Sequence, residues 1–83
     1  MANTNGPGTM FQVPEPDFDD EHVTHVIDEE SELEIWVQNH WGTYKPIWRN
    51  YGEDPELCWT VKNTYVNVLG AIRGAYYWHD GTK

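Results

Sequence analysis

Two runs of β-branched residues joined by a short acidic link constrain this chain more than anything else in it. "HVTHVID" covers residues 22–28, and "LEIWVQ" covers 33–38. In the second run Leu33, Ile35 and Val37 alternate with Glu34, Trp36 and Gln38. Alternation with period two marks a strand with one face buried. The link "EESE", residues 29–32, then makes the pair a β-hairpin with a four-residue loop. A single helix over 20–38 is the rival reading, since Val23, Val26, Ile27 and Leu33 roughly fit helical spacing. The β-branched content favours the hairpin.

Further along, "TYKPIWRNY" has the makings of a third strand. Pro46 cannot donate to a ladder, so this strand is expected at an edge or bent. The next signal is "EDPELCW". Asp54 can cap a helix, Pro55 suits the first helical position, and Glu53 and Glu56 complement the positive end of the dipole. A helix is expected from Pro55 to about Trp78. At about 100° per residue, Leu57, Cys58, Val61, Tyr65, Val68, Leu69, Ile72, Ala75 and Tyr76 fall on one arc of that helix. Trp59, Val66 and Tyr77 fall on a second stripe, which could be an interface. Residues 39–52 could instead fold over it, with Trp41, Trp48 and Tyr51 in a second small core. Gly70, Ala71, Gly74 and Ala75 make a strip of small residues. Glycine inside a helix costs about 1 kcal/mol against alanine, so something is expected to pack closely there.

Residues 1–16, with three Pro and two Gly, read as a flexible or extended lead-in. Phe11 and Val13 could attach it to the rest. Residues 17–83 read as one small domain. The expected fold is α+β: an antiparallel hairpin or three-stranded sheet packed on one long C-terminal helix. Eighty-three residues bury only about 60% of their unfolded surface, so the core is marginal. Five Trp, five Tyr and two Phe supply much apolar area and favour a folded chain.

Charge is divided along the chain. Ten acidic and no basic residues lie in 1–40, against four acidic and five basic in 41–83. The formal net charge is −9. Nucleic-acid binding through phosphates needs clustered Lys and Arg, so direct binding of nucleic acid is not expected. With one cysteine, Cys58, no internal disulfide can form, and a reducing cytoplasm is the expected home. No apolar run approaches the length of a membrane span. A secretory leader is not apparent.

Catalytic templates are missing. There is no glycine-rich phosphate loop, no G-x-S-x-G elbow and no Cys-x-x-Cys pair. Cys58 is expected to be a buried, inert thiol. On a strand, His22 and His25 point to opposite faces and cannot chelate together. Asp17, Asp19, Glu21 and Asp28 lack the glycine and the final glutamate of a calcium loop. No enzyme activity, metal or cofactor is therefore expected.

The acidic half is expected to act by docking. Asp17, Asp19, Asp20, Glu21, Asp28, Glu29, Glu30, Glu32 and Glu34 would line one end and one face, with Trp36 as a hydrophobic anchor among them. The partner would be a basic, nucleic-acid-binding surface of another protein, such as a nuclease. Carboxylates on a rigid scaffold can imitate a duplex, which carries about one charge per 1.7 Å of axis. In size and charge the chain is similar to DNA mimics and anti-CRISPR proteins, which are phage-encoded inhibitors acting in the host cytoplasm. The alternative is a structural or assembly subunit that self-associates through exposed aromatic residues, for example as a homodimer through the Gly70/Gly74 strip.

Overall fold

A computed structural model describes residues 10–13 and 22–82 of the chain. Among these residues five strands run β1 (Met10–Val13), β2 (His22–Asp28), β3 (Leu33–His40), β4 (Thr43–Asn50) and β5 (Cys58–Val61). Among the described residues one α-helix, α1 (Val68–Thr82), follows. All strand pairs are antiparallel, in the order β1-β5-β4-β3-β2. The fold is α+β, with the sheet covered on one face by the C-terminal helix.

The β2–β3 hairpin forms with the expected loop. Asp28 pairs with Leu33, leaving 29–32 as the turn. Ser31 N donates to Asp28 Oδ1 at 3.2 Å, and Glu32 takes φ 57° to close it. Four residues of the lead-in, Met10–Val13, pair with β5 and form an edge of the sheet.

β4 is not an edge strand. It lies between β3 and β5, and Pro46 is buried. The missing N–H is tolerated because the β4–β5 ladder is confined to Ile47 and Trp48. Pro46 falls between that ladder and a separate bridge in which Tyr44 and Tyr65 exchange both backbone hydrogen bonds, at 2.8 and 2.9 Å.

The helix expected from Pro55 begins at Val68 instead. Asp54 and Pro55 do start helical structure, and Asp54 Oδ1 accepts from Glu56 N at 3.0 Å. The result is one 3-10 turn, Pro55–Leu57. The strand-forming run Cys58-Trp59-Thr60-Val61 then takes the chain back into the sheet. The true start of α1 is capped by Asn67, whose Oδ1 accepts from Gly70 N at 2.7 Å.

On the helix side of the sheet, Leu33, Ile35, Val37, Trp48 and Val61 pack against Ala71, Ala75 and Trp78. Val68, Ile72 and Tyr76 flank them. Leu69, placed by spacing on the same arc, is 55% exposed. The glycine strip is filled from within the chain. A Cβ on Gly74 would lie 2.2 Å from Cζ and Oη of Tyr65. The Tyr65 ring is the close-packed neighbour that the strip required, which removes the basis for a helix-to-helix homodimer there.

Candidate functional site: an acidic end

The meander sends successive turns to alternate ends of the sheet. The 29–32 turn, the 51–57 connection and the C-terminus of α1 share one end. Tyr51 N donates to Glu32 O at 2.8 Å, joining the first two. His79, near the end of α1, meets Asn50 Oδ1 through Nε2 at 2.8 Å. Tyr76 donates from its hydroxyl to Asp28 Oδ2 at 2.7 Å.

This end collects Asp28, Glu29, Glu30, Glu32, Glu53, Asp54, Glu56 and Asp80. They are eight of the nine carboxylates among the described residues. All but Asp28 and Glu53 are exposed. The negative end of the α1 dipole points the same way. Arg49 is the cation at this end among the described residues. Its Nε donates to Glu34 and its Nη1 to the backbone oxygen of Glu53 at 3.1 Å. The hydrogen bond from Tyr76, with further ones from Ser31, holds the Asp28 carboxyl below its usual range, and Asp28 in turn pushes the Tyr76 hydroxyl up.

Two residues expected on this surface are not there. Glu34 is 5% exposed and Trp36 is fully buried. β3 is a central strand, and Leu33–Val37 is buried on both faces, so the alternation does not divide core from solvent. Glu34 is neutralised internally. Arg49 Nε lies 2.7 Å from Oε1, and His25 Nε2 lies 2.7 Å from Oε2. The His25 ring stacks on Trp36 with centroids 5.1 Å apart, and Arg49 lies over the same indole at 5.2 Å. Trp36 also packs with Ile47 and Cys58 in a small second core on the face away from the helix. It is a structural residue, unsuited to be an anchor.

Asp17, Asp19, Asp20 and Glu21 lie outside the described residues. Asp28, Glu29, Glu30 and Glu32 do gather at one place. Glu53, Asp54, Glu56 and Asp80 join them unforeseen. The signal that could have placed them is the parity of an antiparallel meander. Turns separated by one full hairpin return to the same end, so 29–32 and 51–57 are neighbours once 43–50 is a strand.

The second interface does not form as expected. Trp59 lies on β5 and stacks with Trp48 at 6.1 Å, on the core side. Val66 is in the loop before α1 and Tyr77 is on α1, 85% and 61% exposed. They share no stripe, because residues 58–67 are not helical. Trp41, Trp48 and Tyr51 do not form a separate core either: Trp48 is in the main core, while Trp41 and Tyr51 are exposed.

No helix among the described residues is long and apolar enough to cross a membrane. No family model, curated protein or solved structure matches the chain.

Proposed function

We propose that this is a small, non-enzymatic binding protein. It docks its acidic end onto a basic surface of a partner protein, and so inhibits or regulates that partner. The observation that carries this reading is the segregation of the carboxylates. Eight converge on one end, while Glu34, the ninth described, has been drawn inside and given two cationic or protonatable partners. Like charges held together oppose compaction, so such a cluster calls for a counter-charge from outside the chain. A strongly basic surface of that size is typical of nucleic-acid-binding grooves, where the acidic end would take the place of the phosphates. Complementary charge would also speed encounter and fix register. Inhibitors of nucleases, in the manner of phage DNA mimics acting in a host cytoplasm, are the functional class this fits best.

The test is displacement. A labelled DNA duplex is bound to each of a panel of purified nucleases, and the protein is added at low and high salt. The expected result is release of duplex from at least one nuclease at low salt, lost at about 0.5 M NaCl. It should also be lost on replacing Glu29, Glu30, Glu32 and Glu56 with Lys. Release that persists in the reversed variant, or release unaffected by salt, would rule out docking by the acidic end.

A further inference from the structure

We draw no further inference here: the strongest candidate, the exposed Trp41 indole at the β3–β4 turn with the open recess beside it, carries nothing because nothing in the structure shows what covers it.

Discussion

Glu34 and Glu30 belong to the same hairpin and have opposite fates. Glu34 is buried, and each of its oxygens has a partner at 2.7 Å. Glu30 is exposed in the turn, with Glu29 and Glu32 beside it and the 51–57 loop adjacent. The contrast separates two uses of the same side chain. One carboxylate completes a network that closes the helix-free face around Trp36. The others add negative charge to an end that already receives the helix dipole. Removing a member of the first group breaks the fold. Removing an exposed turn carboxylate such as Glu30 is expected to relieve it.

Arg49→Ala breaks the comparison most sharply. It leaves Glu34 buried without its guanidinium, and a cost of about 3–5 kcal/mol is expected. Urea unfolding should show the midpoint falling with little change in slope. Replacing both Glu34 and Arg49 with Leu should recover most of that loss. If Arg49→Ala alone costs under about 1 kcal/mol, Glu34 behaves as a surface carboxylate and the contrast fails.

Gly74→Ala comes next. The new methyl would overlap the Tyr65 ring, and overpacking of this kind costs about 1–3 kcal/mol. In a Tyr65→Ala background the overlap is gone, and the same change should stabilise by up to about 1 kcal/mol through helix propensity. Melting curves of the four proteins check this. No rescue would mean that Tyr65 is not what requires glycine.

Smaller still is the pH response of the Asp28–Tyr76 pair. The folded Asp28 carboxyl titrates below its unfolded value, so its contribution is complete above the unfolded value and is lost as pH falls through the lowered one. The Tyr76 hydroxyl titrates above its unfolded value, so its contribution is complete below about pH 10 and is lost as pH rises further. Tyr76→Phe should flatten both limbs of the stability profile. A profile unchanged by that substitution would detach Asp28 from α1.

Much of this was legible in the residues. The β-branched runs and the "EESE" link point to the β2–β3 hairpin and its four-residue turn, but β3 runs two residues further, to His40, and a register irregularity between His22 and Thr24 had no local signal. The helix start was misread because Asp54-Pro55 is a real capping signal, but the run that follows it prefers strand. Only pairing with β4 decides between one continued helix and a return to the sheet. Glu34 and Trp36 were misplaced for a related reason. Alternation identifies a strand but not whether its second face is covered, and that depends on His25 and Arg49 arriving from neighbouring strands. Glu53, Asp54 and Glu56 were missed although the expected third strand already returns the chain to that end, and Asp80 was missed because the end of α1 was not placed. Treating 53–56 only as the cap of a helix drew attention away from their place beside the 29–32 turn.

The central claim is that the acidic end is kept at the expense of stability. Its most direct measurement is urea unfolding of Glu29→Lys, Glu30→Lys and Glu32→Lys, singly and combined, at about 0.02 and 1 M NaCl. Each reversal should raise stability by about 0.5 kcal/mol at low salt, and the gain should vanish at high salt. A combined variant that is less stable than the wild type at low salt would contradict the account, because those carboxylates would then be holding the fold together.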